Sequence, residues 1–138
     1  MASDTPEKKP APKRRRTPHY VKNLRGVRNW KEAREWLQWR SIEDVEAMTP
    51  DLAGVPRGKM MPSVKFTTET SLALPNAVFR QTITGDYPEE TDEFQHDPLD
   101  SDLKLMPDLS TLSVVPWETD PTAQVICDIV STSGKPIL

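Results

Sequence analysis

At 138 residues the chain is sized for one domain, and an apolar share of 36% with 14 prolines leaves part of it outside a packed core. Its net charge of −3 is unevenly placed: residues 1–40 hold 12 Lys/Arg and 4 Asp/Glu, residues 41–138 hold 6 and 17, the pattern of a basic tail on an acidic domain. One cysteine, two histidines and no long apolar run exclude a disulfide framework, a Cys- or His-based metal site and a transmembrane helix, and no apolar stretch follows the Lys/Pro/Arg-rich start as a secretory signal needs, so the expected setting is cytoplasmic.

Residues 1–28 read as a disordered basic tail. Pro6, Pro10, Pro12 and Pro18 break helices, and Lys13 to Arg16 repel one another. A nucleic-acid patch is one use for such a run. No aromatic interleaving or nucleic-acid fold accompanies it, so a solubilising or docking tail is the preferred reading and nucleic acid is not an expected partner.

A short amphipathic helix is expected over 29–40. Asn29 can cap it, Glu32 completes a box-like pattern, and Trp30, Ala33 and Leu37 share a stripe with Trp36 beside them. Trp30, Trp36 and Trp39 read as anchors to the domain or to another subunit rather than as a ligand cage.

From Ser41 the pattern becomes that of strands. Ile42 to Met48, ending at Pro50, and Arg57 to Pro62 form a hairpin around the turn residues Asp51 to Pro56. Residues 63–72 read as a short helix or turn, and Ala77 to Ile83 as a third strand. Residues 86–102 carry eight acids and no Lys or Arg, which marks an exposed acidic loop. Asp97, Asp100 and Asp102 lack the glycine and glutamate spacing of a calcium loop.

The last third alternates. Leu103 and Leu105 share a face, Ser113 to Val115 is short and β-branched, and Ala123 to Val130 is apolar on both faces, as a central strand would be. Cys127 lies inside that run and reads as a small buried apolar residue. The resulting fold class is α+β: a mixed sheet of five or six short strands with little helix. Alone, the residues offer no complete catalytic set. There is no glycine-rich phosphate loop, and the one histidine outside the tail, His96, falls in the acidic loop. The bare reading is a binding or structural domain.

Specific motifs add to this. Ser101-Asp102-Leu103-Lys104-Leu105-Met106-Pro107-Asp108-Leu109-Ser110-Thr111 resembles a segment of the glutamine synthetase superfamily. Pro116-Trp117 followed by Asp120 to Val125 is similar to the branch of glutamate–polyamine ligases (γ-glutamylputrescine synthetase) and type III glutamine synthetases. Asp51 to Lys59 and Thr82 to Asp86 resemble the family's first hairpin and the loop after its third strand. The likeness covers about residues 42–138 and identifies 41–138 with the family's N-terminal β-grasp domain.

The resemblance implies a large homo-oligomeric ring in which this domain closes over a neighbouring subunit's catalytic domain. In such enzymes ATP phosphorylates the glutamate γ-carboxylate, ammonia or an amine attacks the acyl phosphate, and Mg2+ or Mn2+ neutralises the developing charge. On this expectation the catalytic domain, with its metal ligands, lies beyond Leu138, and the chain alone is inactive and binds no ATP or metal. Anchoring the family's ammonium loop on Thr84-Gly85 puts Phe79 at its Tyr and Arg80 at its Asp. An arginine cannot attract ammonium. The amine-side candidates are therefore Arg80, Thr82, Thr84, Gly85, Asp86, Glu89, Glu90 and Asp102, with Asp86, Glu89 and Glu90 placed to draw a polyamine cation. Asp108 reads as a possible turn cap, Trp117 as a packing residue, and Pro107, Pro116 and Pro121 as setting strand ends. The alternative is a stand-alone ubiquitin-like protein-binding module with a basic tail.

Overall fold

A computed structural model describes residues 14–51, 53–80, 84, 86 and 102–136. Helix α1 spans Trp30–Trp39, followed by strands β1 (Asp44–Pro50) and β2 (Pro56–Pro62), helix α2 (Ser63–Glu69), and strands β3 (Leu72–Pro75), β4 (Asp102–Pro107), β5 (Ser113–Val114) and β6 (Thr122–Val130). The strands form one mixed sheet in the order β2-β1-β6-β4-β3, with β5 also paired to β6. β1 and β6 run parallel, from Asp44 opposite Thr122 to Met48 opposite Ile126, and every other pairing is antiparallel. This is the expected α+β mixed sheet with little helix.

Alternation fixes which face is covered. Val45 and Ala47 of β1, Leu72 and Leu74 of β3, Leu103 and Leu105 of β4, and Ala123, Val125 and Cys127 of β6 are buried. Ala33, Trp36 and Leu37 of α1 and Phe66 of α2 join the same core. Trp30 and Phe66 lock the two helices together, their rings 5.1 Å apart. The opposite face of the sheet carries Met60, Met106 and Ile126, all exposed. β6 is therefore central, with apolar residues on both faces.

The helix begins where expected: Asn29 Oδ1 accepts from Glu32 N at 2.9 Å. The return bond is shifted by one residue. Glu32 Oε2 accepts from the backbone N–H of Arg28, not of Asn29. That bond, with the Arg28 guanidinium at 3.2 Å, holds the Glu32 carboxyl below its ordinary pKa, the backbone donor contributing most.

Two expectations are corrected. The reading of residues 1–28 as a disordered tail does not hold for 19–28. His19–Lys22 forms a 3-10 turn with Val21 buried, and Val27 joins the core. Gly26 N donates to Leu112 O at 2.7 Å and Val27 N to Leu109 O at 3.0 Å, while Arg25 bridges Ser113. Tyr20 OH donates to Glu35, which pushes the phenol up to about 12. Two isolated valines thus strap a polar, basic segment across α1 and the edge at β5. Residues 14–18 have no secondary structure, and residues 1–13 lie outside the described part.

The third strand is also misplaced. The sheet takes Leu72–Pro75, and Asn76–Arg80 coils as a 3-10 turn. Pro75 has no N–H to continue a ladder, and Leu72 and Leu74 already supply the two inward side chains that the edge needs. Residues 81–83 lie outside the described part.

Candidate functional site

The 3-10 turn Asn76–Arg80 leads from β3 toward the loop that the sequence marks as amine-facing, and Asp102 marks the chain's return into β4. Phe79 and Val78 pack against the core. Asp102 pairs with Pro75 and is exposed. Thr84 and Asp86 are exposed too, and Thr84 Oγ1 donates to Asp86 Oδ2 at 2.9 Å. Thr82, Gly85, Glu89 and Glu90 lie outside the described residues, as do Asp97, Asp100 and His96.

Beside this turn is a cleft of about 660 Å³ lined by, among others, Thr49, Asp51, Phe79, Leu103, Asp128 and Ile129. It joins three places far apart in sequence: the turn end of β1, the 3-10 turn and the end of β6. Asp51 is committed within it. Its Oδ1 accepts from Ala53 N at 2.8 Å and Val55 N at 2.9 Å, and its Oδ2 meets Arg57 Nε at 3.2 Å. The Val55 N–H leads these partners in holding its carboxyl below the ordinary range. Asp128 alternates with buried Cys127 and is exposed. Sequence reading assigned no role to Asp128 or Thr49. The period-2 alternation of β6 was the available signal for Asp128.

Cys127 also lines the cleft but is no nucleophile. It is 3% exposed, and burial pushes its thiol up to about 12. Among the described residues no three His, Cys, Asp or Glu side chains converge to hold a metal ion. The described residues therefore do not fit the metal cluster that the resemblance implies, and no metal-dependent step is assigned to them.

A second cleft, of about 490 Å³, lies between the end of α1 and the Pro116–Pro121 turn, with Trp39, Arg40, Val114, Glu118 and Asp120 among its walls. Trp117, expected to pack, is instead 71% exposed, in the turn between β5 and β6. Asp108 does cap the 3-10 turn Leu109–Thr111, its Oδ1 accepting from Ser110 N at 3.0 Å. Pro107 closes β4 and Pro121 precedes β6.

The chain is 32% identical over 124 residues to lengsin of Canis lupus familiaris, covering 88% of this chain and 20% of that protein. It is 30% identical over 109 residues to glutamate–isopropylamine ligase of a Pseudomonas species, covering 77% of this chain and 24% of the ligase. The chain belongs to the glutamine synthetase superfamily. No family profile matches it. The fold agrees with solved structures: apo GmaS superposes with a TM-score of 0.55 at 19% identity, over 75% of this chain and 21% of that one. The chain thus spans about a fifth to a quarter of these glutamine synthetase relatives. Among the described residues no helix is long and apolar enough to cross a membrane.

Proposed function

We propose that this chain is the N-terminal domain of an ATP-dependent ligase that joins the γ-carboxylate of glutamate to ammonia or an amine. It forms one wall of the active site in a neighbouring subunit of a homo-oligomeric ring. What carries the reading is the similarity, over most of the chain, to a protein named for ligating glutamate to isopropylamine. ATP and Mg2+ or Mn2+ are assigned on this reading to another part of the complete protein.

On the amine side, the reading uses the turn at Asn76–Arg80 and the loop beyond it. Arg80 occupies the family's aspartate position, so free ammonium is the poorer fit. Asp86, Glu89 and Glu90, in a sequence segment that also holds Thr82, Thr84, Gly85 and Asp102, supply negative charge for an amine cation. The cleft beside the Asn76–Arg80 turn, apolar at Phe79, Leu103 and Ile129 and acidic at Asp128, suits an alkylammonium or polyamine chain.

The test is ADP release by the complete protein carrying this chain, measured with glutamate against ammonium, short alkylamines and polyamines. Release requiring both glutamate and an amine is expected. Release indifferent to glutamate, or stimulated by no amine, sinks the reading. Replacing Asp86, Glu89 and Glu90 together by their amides should raise the apparent KM for a cationic amine. An unchanged KM would return these acids to the solvent.

A further inference from the structure

The strap that fastens residues 19–28 to the domain is preceded by Arg14-Arg15-Arg16-Thr17-Pro18, a segment with no secondary structure in which every residue is exposed. We infer that Thr17 is a phosphorylation site for an arginine-directed protein kinase.

Four observations converge. Kinase grooves take substrate as extended chain. Here the backbone of 14–18 is committed to neither helix nor sheet, and Pro18 holds the preceding residue to extended conformations. The acceptor is accessible, since Thr17 is exposed and its hydroxyl makes no hydrogen bond to the described residues. The charge pattern is directional: three guanidiniums lie immediately N-terminal to the acceptor, where an acidic substrate groove would pair with them. Lastly, the segment is tethered close by. Val21 is buried four residues on, and the 3-10 turn starts at His19, so the acceptor stands off the domain by a short, fixed length of chain.

Several other hydroxyls are engaged or buried. Ser63 donates to Ile42 O, Thr67 and Thr68 donate to carbonyls of α2, Ser110 donates to Asp108, and Thr122 is buried. No other serine or threonine among the described residues has three arginines directly before it.

In the reaction, Thr17 Oγ1 forms a bond to the γ-phosphorus of ATP. Its proton passes to the kinase's catalytic base, the bond from the γ-phosphorus to the β,γ-bridging oxygen breaks, and ADP leaves. Residues 14–22 hold four Lys/Arg and no Asp/Glu. A phosphoryl group of about −2 halves that charge and weakens any contact the segment makes with an anionic surface.

The experiment incubates the purified chain with Mg-ATP and the catalytic subunit of an arginine-directed kinase, then measures intact mass and maps the modified peptide. One phosphoryl group at Thr17 is expected, none in Thr17→Val, and slower incorporation when Arg14 and Arg15 are both replaced by Ala. Far-ultraviolet circular dichroism checks that each variant keeps its fold, which substitutions in an exposed, unstructured segment should not disturb. No incorporation, or incorporation that persists in Thr17→Val, overturns the assignment. So does full-rate modification without the two arginines.

Discussion

The indole of Trp36 and the guanidinium of Arg40 converge on one atom, the carbonyl oxygen of Asn23. Trp36 Nε1 donates to it at 2.9 Å and Arg40 Nη2 at 2.8 Å, while the guanidinium lies 4.7 Å from the Trp36 ring centroid. One helical turn of α1 thus satisfies a strap carbonyl twice and stacks a cation on the aromatic that does so. Trp36→Phe removes one donor and some volume and should lower stability by about 1–2 kcal/mol. Trp36→Ala empties the site, at about 3–5 kcal/mol. Urea unfolding followed by circular dichroism measures both, and an unchanged midpoint for Trp36→Phe would mean the indole bond contributes nothing.

Gly58 of β2 faces Met48 of β1, and a Cβ there would lie 1.9 Å from Ala47 O and 2.8 Å from Met48 Cα. Both are backbone atoms, so nothing can swing aside. Gly58→Ala should displace the hairpin at a cost of about 1–3 kcal/mol. Gly54 offers the contrast. Its φ is +79° with nothing within 4 Å of an added Cβ, so Gly54→Ala meets only left-handed strain, about 1 kcal/mol. If the two variants unfold at the same urea concentration, the close approach at Gly58 has been misjudged.

Asp51 has its folded pKa depressed, chiefly by the Val55 N–H and then by Arg57 and the Ala53 N–H, against the cost of burial. A depressed acid contributes stability that is present above its unfolded pKa and is lost as pH falls through the folded value. Glu32 behaves likewise through Arg28. Stability should therefore fall with acidification below about pH 4, and Asp51→Asn should flatten that fall while lowering stability at pH 7. Chemical denaturation at stepped pH reads both. An acid limb of unchanged slope in the variant would remove Asp51 from the account.

Cys127 should resist modification. With its thiol raised to about 12 by burial, Ellman's reagent at pH 8 should react only as fast as the domain opens, and fully in denaturant. Prompt reaction in native buffer would mean that the cleft beside it reaches the sulfur.

Removing the Asp108 side chain frees Ser110 N and Ser110 Oγ, which it accepts at 3.0 and 2.6 Å. Asp108→Ala should cost about 1 kcal/mol by thermal or urea unfolding. Because this turn also receives Val27 N at Leu109 O, the variant should loosen the strap, read as faster amide exchange at Gly26 and Val27. Unchanged exchange would show that the strap is held from α1 alone.

Features set by local chemistry were readable from residues. Asn29 announced the helix start, Asp51 to Pro56 the turn, and the two-sided apolar pattern of Ala123 to Val130 the central strand. What escaped reading depends on partners distant in sequence. Val21 and Val27 are single apolar residues in a basic stretch, and only α1 and the Leu109–Leu112 segment give them something to bury against. β-branched and aromatic character at Val78 and Phe79 suggested strand, yet the edge position had already been taken by Leu72–Pro75. On the candidate site, the sequence pointed to the neighbourhood of Arg80 and Asp102. The clustering of Thr49, Asp51 and Asp128 follows from the sheet order, which no local pattern carries.

The parallel pairing of β1 with β6 sets the order in which the domain can be completed during synthesis. The hairpin of β1 and β2 emerges early, with α1 and α2 around it, but the strand that must lie between β1 and β4 emerges last. Until Val130 has cleared the ribosome, β4 has no neighbour on its β6 side and β1 has none on its inner edge. Loop-closure entropy is spent before the contacts that offset it exist, so folding should be slow for the domain's size. A nascent chain paused before Thr122 would present an unpaired edge to chaperones rather than a folded intermediate.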